Sequence, residues 1–364
     1  MKALEDILEL RLFFFGTEEQ KKFVYFEFII PYFSKMGIPF YAERDWAGGP
    51  NYRIIMETQM IEVAEVKHEF MAFCNQNVGE IGKEIIQRNL QAYKKNTSTI
   101  AQMERRQYRE INADNHLKLE CHPIDEKYVK ERFNSFQHFN VHTQSLFLMQ
   151  QFINSKLLFL KEMGSEEKIK NTAMFFYDAL SLSKYDEKFS ILVYISNIEG
   201  VLAIAEKMQK KELFLKTYEK MYKALQPKKF FEDNGYELIY GKNWRNTLSE
   251  IYRLITANLD KLNVQDKGYY SFEEQKQLLY KNIQDIDSNF HNQLVNNNIE
   301  ELLKHEEHAV FKVLINVIYK FVHMLGVNFN EKNAACYIVC QYVLDKNNTT
   351  WQEILKERGE SFVF

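Results

Sequence analysis

The stretch that decides how this chain begins to fold is Phe40-Tyr-Ala-Glu-Arg-Asp-Trp-Ala-Gly-Gly-Pro-Asn-Tyr-Arg53. Ile38, Phe40 and Ala42 alternate with other residues and predict a strand, and residues 52–57 predict a second strand. The Gly-Gly-Pro sequence between them allows a tight reversal of the backbone. The sequence therefore predicts a β-hairpin here.

The hairpin carries the first candidate site. Because side chains alternate along a strand, Asn51 and Arg53 are expected on one face of the sheet. The turn is expected to bring Arg44 back beside them, so that two guanidiniums and one amide converge near a sheet edge. The alternative interpretation is a hairpin that carries ordinary surface arginines.

The residues around the hairpin predict an α+β arrangement. Leu8 to Phe14 alternate as a strand that ends at Gly16, and Thr17 with Gln20 predicts a capped helix start. A single helix is expected from about Met60 to Tyr93. The order strand–helix–strand–strand–helix is typical of a ferredoxin-like unit.

The rest of the chain predicts helices. From about Asp125 onward, apolar residues recur at helical spacing, as in the stripe from Phe311 to Leu325. No repeat of fixed period and no long Ser/Gly/Pro linker divides the sequence. We therefore expect one helix-rich α+β domain over 1–364, with an α+β part at 1–120 and a mainly helical part at 121–364.

Composition excludes several classes of protein. Among the 364 residues, 47 Lys and Arg face 50 Asp and Glu, a net charge of −3 without the positive field of a nucleic-acid binder. No apolar run reaches the ~18 residues of a membrane span, and the acidic start is unlike a signal peptide. The 4 scattered cysteines make no disulfide framework. We expect a soluble, cytoplasmic protein with neither a membrane nor a nucleic acid as partner.

Pairs of metal-binding residue types occur at helical spacing. They are Cys336 and Cys340, His138 and His142, and His305 and His308. The cysteines have apolar neighbours, and neither histidine pair matches the HExxH arrangement of zinc proteases. We therefore predict no metal. His308 remains a candidate proton carrier, because histidine titrates near neutral pH.

A basic segment combines Lys94-Lys95, Arg105-Arg106 and Arg109 with two tyrosines. Such a segment can hold acidic peptide side chains or phosphates, although neighbouring glutamates favour a solvated helix face. The sequence has no glycine-rich phosphate loop, serine nucleophile elbow or kinase signature.

Two segments resemble a known family. Arg44, Trp46, the Gly49-Pro50 pair and Arg53 match the R-x-W-x-x-G-P-H-x-R signature of the lantibiotic dehydratase C-terminal domain family. The stretch from Phe311 to Glu331 is similar to a second family segment, H-M-x-x-N-R-L followed by L-G-[IVL] and an acid. The family includes glutamate-elimination domains and the stand-alone pyridine synthases of thiopeptide biosynthesis.

The departures from the family pattern distinguish its branches. The signature His is Asn51 and its second Arg is Ile55, while in the late segment the His aligns with Lys312 and the Arg with Val317. Glutamate elimination needs a cation for the glutamyl carboxylate and a base for the Cα proton. A pyridine synthase acts on neutral dehydroalanines, so the resemblance favours that branch.

The resemblance implies an enzyme that matures a ribosomally made peptide. Its substrate would be a modified precursor peptide with a leader, supplied by other maturation enzymes, and no metal or organic cofactor would be needed. Arg44 and Arg53 would donate to substrate carbonyls, and Asn316 and Tyr319 would orient or protonate the substrate. The implied site also includes His308 as a catalytic residue and, for substrate binding, Trp46, Asn51 and Lys312.

Other functions stay open at this point. The main enzymatic alternative is a glutamate-elimination partner of a tRNA-dependent dehydratase. A non-catalytic module could bind leader peptides along an edge strand by β-augmentation, and a general helical interaction protein is a third possibility. The oligomeric state is not predicted.

The cysteine and histidine pairs yield a first prediction. Because neither kind of pair has a completing set of ligands, activity is expected to survive a metal chelator. The check is an activity assay with and without chelator, together with metal analysis of the purified protein. Stoichiometric zinc bound by Cys336 and Cys340 would contradict it.

Overall fold

The structure is a computed structural model. It describes residues 6–58, 60–104, 108–133, 135–232, 241–262, 272–296 and 306–361. Its strands are β1 (Ile7–Phe13), β2 (Phe40–Asp45), β3 (Asn51–Glu57) and β4 (Leu119–Pro123). Its helices are α1 (Glu18–Val24), α2 (Ile30–Lys35), α3 (Val63–Asn77), α4 (Lys83–Glu104), α5 (Glu126–Arg132), α6 (Phe136–Glu162), α7 (Ser165–Leu180), α8 (Glu187–Ser190), α9 (Leu192–Lys207), α10 (Lys211–Leu225), α11 (Pro227–Glu232), α12 (Gly241–Ala257), α13 (Leu259–Leu262), α14 (Phe272–Ile286), α15 (Asn289–Asn296), α16 (Glu306–Met324), α17 (Phe329–Asn347) and α18 (Trp351–Ser361). Arg105, Arg106 and His305 lie outside the described residues.

The chain divides into two compact units. The sheet unit comprises Met1–Arg132, Leu146–Glu162 and His323–Gly326. The helical unit comprises Phe133–Ser145, Met163–Val322 and Val327–Phe364. The single domain over residues 1–364 stays a prediction.

The sheet has one apolar and one charged face. Its four strands follow the order β2-β3-β1-β4, and each neighbouring pair is antiparallel. Leu10 and Leu12 point to the apolar face and are fully buried. Glu9 and Arg11, the intervening residues of β1, point to the other face, where a charged network forms. The architecture is therefore helix-rich α+β, as predicted.

The first strands and the first helix match the sequence. β1, β2 and β3 lie where alternation predicts them. Thr17 accepts a hydrogen bond from the Gln20 backbone N–H at 3.2 Å, and the Gln20 side chain accepts from the Thr17 N–H at 2.9 Å. The predicted capping box is confirmed, because both reciprocal bonds are present.

Two predictions in this region need correction. The single helix expected from Met60 to Tyr93 is wrong, because α3 ends at Asn77 and α4 begins at Lys83. Gly79 takes a left-handed conformation (φ 76°) after α3, which is a common way for a helix to end. β4 has no counterpart in the prediction, because its short, half-exposed sequence lacks the apolar alternation of a buried strand.

Pro31 changes the helix in which it lies. The helix passes from α1 into a π-helical segment, Tyr25–Ile29, and then into α2. At the end of this segment, the Ile30 N–H donates to the Tyr25 carbonyl, five residues back. Proline has no N–H and crowds the carbonyl four residues before it, so the wider turn admits Pro31 without ending the helix.

From α5 onward, the described residues form helices, as the sequence predicts. Among the residues that the structure describes, one stretch, Glu187–Lys207, is long and apolar enough to cross a membrane by length and mean hydropathy (1.5) alone. Half of its most apolar window is buried within the protein, and core helices commonly have this composition.

Gly49 yields a stability prediction. Its φ is 112°, and a Cβ there would lie 3.0 Å from Ile111 and 3.3 Å from the Phe15 ring. We expect Gly49→Ala to lower the free energy of unfolding by about 1–3 kcal/mol, through backbone strain and crowding. Gly82→Ala is the control, because a Cβ at Gly82 meets nothing within 4 Å. Equal unfolding midpoints in urea would contradict the prediction.

Candidate functional site

The register of the hairpin decides which signature residues share a face. Arg44 lies opposite Tyr52, and Glu43 lies opposite Arg53. Residues opposite each other in an antiparallel pair point to the same face, so Arg44 lies on the other face from Arg53. The expected convergence of Arg44 with Asn51 and Arg53 is therefore wrong. Alternation places Asn51 and Arg53 together, but strand pairing places Arg44 with Tyr52.

Arg53 lies at the buried centre of the charged face. The residue is 2% exposed, and its guanidinium pairs with Glu9 at 2.6 Å and with Glu43 at 3.1 Å. The ring of Tyr128 covers it, with its centroid 4.8 Å from Cζ. Burial would lower the pKa of Arg53, but Glu9 and its neighbours raise it well above the ordinary value. Arg53 is thus neither a surface arginine nor an unpaired one.

Glu9 is shared between two guanidiniums. One carboxylate oxygen accepts from Arg53 Nε at 2.8 Å, and the other accepts from Arg11 Nε at 2.5 Å. Burial would raise the pKa of Glu9, but Arg53 and then Arg11 outweigh it and lower the pKa to about 2. Glu9 therefore stays ionised at neutral pH.

The anion positions around Arg53 are filled by carboxylates of the protein itself. A buried guanidinium without a partner would be strongly destabilising, so these pairs stabilise the sheet. To donate to a substrate carbonyl, Arg53 would have to give up part of this arrangement. That catalytic role stays a prediction.

The other signature residues have structural contacts of their own. Arg44 forms an ion pair with Glu18 of α1. The Asn51 amide donates to the carbonyls of Ala47 at 3.0 Å and Gly49 at 2.8 Å, which closes the turn. Trp46 packs against an apolar cluster that contains Phe13 and Phe15. Substrate contacts by Arg44, Trp46 and Asn51 stay predictions.

An open groove of about 720 Å³ lies over the charged face of the sheet. Glu9 of β1, Glu120 and His122 of β4, and Tyr128 of α5 contribute to its lining. Glu120 forms a two-bond pair with Arg109, at 3.0 and 2.9 Å. The groove is thus built from charged groups that already pair within the protein.

In the helical unit, α16 is buried around most of its circumference. Its aliphatic and phenylalanine residues between 310 and 322 are all buried. Lys312 and Asn316, one turn apart, are exposed, and His308 and Lys320 continue the line partly exposed. We call these four residues the α16 polar stripe. Burying polar side chains without hydrogen-bond partners costs free energy, so such a line on an otherwise buried helix is stable where solvent or a ligand reaches it.

Lys312 of the stripe acts electrostatically on His138 of α6. Solvent reaches the Lys312 side chain, yet protein atoms displace much of the water around its ammonium, which lowers the pKa of Lys312. Loss of hydration, and secondarily the charge of Lys312, lowers the pKa of His138 to about 4. At neutral pH, His138 is therefore a neutral imidazole, and Lys312 is an amine that loses its proton more readily than usual.

Tyr319 departs from the stripe. Its hydroxyl contacts the Cys336 thiol at 4.0 Å, and the Lys332 ammonium lies 4.6 Å from its ring centroid. Burial, reinforced by Cys336, raises the pKa of Tyr319 well above its ordinary value. Asn316 is exposed while the Tyr319 hydroxyl lies beside a buried thiol, so the expected joint action of the two residues stays a prediction.

Three pairs of residues are candidates for metal binding by their spacing in the sequence. Cys336 and Cys340 are buried in α17, and the partner of His308 lies outside the described residues. Within the ranges that the structure describes, no group of three or more His, Cys, Asp or Glu side chains is placed to hold a metal ion. The absence of a metal stays a prediction.

Sequence reasoning missed the partners of the signature residues. Glu9 interrupts a run of leucines, and Glu43 precedes Arg44 in the hairpin; acids inside otherwise buried strands are a signal for a buried cation. Tyr128 offers no such signal. The sequence marks His138 only as a possible metal ligand, because the effect of Lys312 on it depends on tertiary folding.

Comparison with known proteins identifies the fold. No protein-family model and no curated protein sequence matches this chain. Among solved structures, the pyridine synthase TbtD from thiomuracin biosynthesis matches with a TM-score of 0.64 and 13% identity, over 93% of this chain and 98% of TbtD. TsrL matches with a TM-score of 0.51 and 10% identity, over 97% of this chain and 98% of TsrL. The chain therefore shares the fold of these proteins over nearly its whole length.

The charged face predicts a specific pH dependence of stability. The folded pKa of Glu9, about 2, lies below its ordinary value of 4.5. The resulting stability is present above the unfolded pKa and is lost as the pH falls towards 2. We expect Glu9→Gln to lower the free energy of unfolding at neutral pH by about 3 kcal/mol and to flatten its decline between about pH 5 and 2.

Urea unfolding across this pH range measures the effect. Glu126→Gln is the matched control, because Glu126 is exposed and pairs with Lys130 on the surface of α5. Parallel pH profiles for the wild-type protein and Glu9→Gln would show that Glu9 carries no such linkage.

Proposed function

We propose that this chain is a peptide-maturation enzyme that forms a central pyridine from two dehydroalanines. In a formal [4+2] cycloaddition, the imidic tautomer of one dehydroalanine amide serves as a 2-azadiene and the other dehydroalanine as the alkene. Two C–C bonds form. Loss of water, followed by expulsion of the leader peptide as an amide, makes the ring aromatic.

The observation that carries the proposal is the match in fold over nearly the full length of a pyridine synthase. The departures from the dehydratase-family pattern at Asn51, Ile55, Lys312 and Val317 support the same branch. We also propose that the N-terminal strands and helices form a ferredoxin-like unit. The observed strand order and antiparallel pairing support this arrangement.

The α16 polar stripe supplies chemistry that the reaction needs. Tautomerisation requires a base at the amide nitrogen and an acid at the carbonyl oxygen. The Lys312 amine, with its lowered pKa, is proposed as the base, and its charge acts on the neutral His138 imidazole. Asn316, one turn from Lys312, is proposed to donate to a substrate carbonyl. His308 is a further candidate in the same line.

The charged face bears on the glutamate-elimination alternative. Elimination requires a cation that is available to a glutamyl carboxylate. The Arg53 guanidinium already holds Glu9 and Glu43, so a substrate carboxylate would compete with two internal ones. This occupancy favours the cyclase over the eliminase.

The proposed substrate is a precursor peptide with a leader, whose serines are already dehydrated and whose cysteines are already azoles. The class of reaction that must precede this step is therefore dehydration and azole formation by other maturation enzymes. The cytoplasm is the expected compartment.

The deciding experiment is incubation with a dehydrated, azole-bearing peptide that carries a leader, followed by mass spectrometry. We expect the product mass to fall by one water plus the released leader. Conversion of a glutamylated peptide to dehydroalanine would instead establish the elimination activity. Binding of either peptide without any turnover would leave only the non-catalytic alternative.

Lys312 yields a prediction for the same assay. Because only the neutral amine accepts a proton, kcat/KM should rise with pH and level off above the lowered pKa of Lys312. We expect Lys312→Arg to lose this limb of the profile and about 10²-fold of the rate, since a guanidinium stays protonated. Lys220→Met, an exposed lysine of α10, is the control and should keep both. The same limb in Lys312→Arg would exclude Lys312 as the base.

A further inference from the structure

The two edges of the sheet differ in how their backbone groups are satisfied. β2 forms one edge. Its Ala42 N–H donates to the Gln150 side chain at 3.0 Å, and the Tyr25 hydroxyl donates to the Ala42 carbonyl at 2.6 Å. Side chains of packed helical segments therefore occupy the outward backbone groups at Ala42, where a further strand would have to pair.

β4 forms the other edge, and its backbone directions follow from its pairing with β1. The Phe13 N–H donates to the Lys118 carbonyl at 2.9 Å, and the Ile124 N–H donates to the Ile7 carbonyl at 3.1 Å. Even-numbered positions therefore direct their backbone groups towards β1. Since these directions alternate, Leu119 and Cys121 direct both their N–H and their C=O outward.

Nothing in the described part of the chain pairs with this outer edge. β4 is the last strand in the sheet order, and each of its residues is at least partly exposed. Proteins usually cover or blunt such an edge, because it is a template for another strand. Here one edge is covered by side chains and the other is left open, which indicates a partner for β4.

The groove lies where the side chains of an added strand would reach. Glu120 and His122 of β4 point to the charged face and line it. Alternate side chains of a strand beside β4 would point to the same face. The acids of the lining are matched in number by its bases: Glu9, Glu120, Asp125 and Glu131 against Arg11, Arg109, Lys127 and Arg132.

We propose that the outer edge of β4 binds an extended segment of the substrate peptide as a fifth strand, with alternate side chains in the groove. The balanced lining suits a peptide with polar side chains of either sign better than a polyanion. A second copy of β4 is a poorer occupant, because its Pro123 has no N–H to donate. The identity of the peptide as substrate rests on the proposed function; the binding mode does not.

The test begins with a library of random 12-residue peptides, displayed and selected against the full-length protein. The tightest peptide is synthesised with a fluorophore and titrated against the wild-type protein, Cys121→Pro and Cys121→Val. Proline removes the outward N–H at a position where an edge strand tolerates it, whereas valine keeps that N–H. We expect Cys121→Pro to weaken binding about 10-fold or more and Cys121→Val to change it less than about 3-fold.

Two further measurements keep the test decisive if Cys121→Pro does not fold. Hydrogen exchange on the wild-type protein should show protection of the Leu119 and Cys121 amides when the peptide is bound. N-methylation along the peptide should weaken binding at every second residue, as strand pairing requires. Equal affinities for the two variants, or methylation effects without this period, would overturn the proposal, as would a selection that enriches no peptide.

The result also separates this inference from the proposed function. Period-two binding at β4 without turnover of the dehydrated, azole-bearing peptide would support the strand site and contradict the pyridine synthase. Turnover combined with a Cys121→Pro variant that binds as well as Cys121→Val would do the reverse. Dimerisation through β4, seen by sedimentation and abolished by Cys121→Pro, would identify a second copy as the occupant and overturn the proposal.

Discussion

The sheet unit depends on a positive charge that is enclosed by protein. Arg53 takes its partners from both neighbouring strands, Glu9 from β1 and Glu43 from β2, and Tyr128 covers it from α5. Each partner requires a particular strand register, because a slip of one residue would send the carboxylate to the opposite face. Charge pairing therefore specifies strand alignment here, while Leu10 and Leu12 of β1 are buried on the opposite face.

This enclosure changes how the family signature is understood. Its two arginines, and Asn51 at its histidine position, suggest a ready-made site for a ligand, but in the folded chain these side chains bond to the protein itself. Asn51 closes the turn, Arg44 ties β2 to α1, and Arg53 fixes the register. Lys312 of the α16 polar stripe, in contrast, is solvent-accessible, and loss of hydration lowers the pKa of its amine.

The sequence predicts local structure well and tertiary contacts poorly. Alternation identifies β1, β2 and β3, and the Thr17 capping box is read directly from residue types. The break between α3 and α4 is missed, because Gly79 is a weak signal inside a long polar helix pattern. Which side chains share a face of the sheet is hardest to predict. Strand alternation places Asn51 with Arg53, but only the pairing register shows that Arg44 lies on the opposite face. Likewise, spacing marks Lys312 on α16, whereas its effect on His138 arises from helices far apart in sequence.

The π-helical segment before Pro31 has a consequence for which changes of length the chain tolerates. Surface loops accept insertions and deletions readily, but the π-helical turn of this helix encloses one residue more between its hydrogen-bonded groups than a turn of the α-helical flanks does. Deleting one residue between Tyr25 and Ile29 would restore regular geometry and rotate one flank by about 100° relative to the other. The Tyr25 hydroxyl also reaches the Met324 carbonyl at 2.8 Å, and it would then lose both that carbonyl and the one on β2. Close relatives of this chain should therefore vary in loop length around α1 and α2 while keeping the residue count between them fixed.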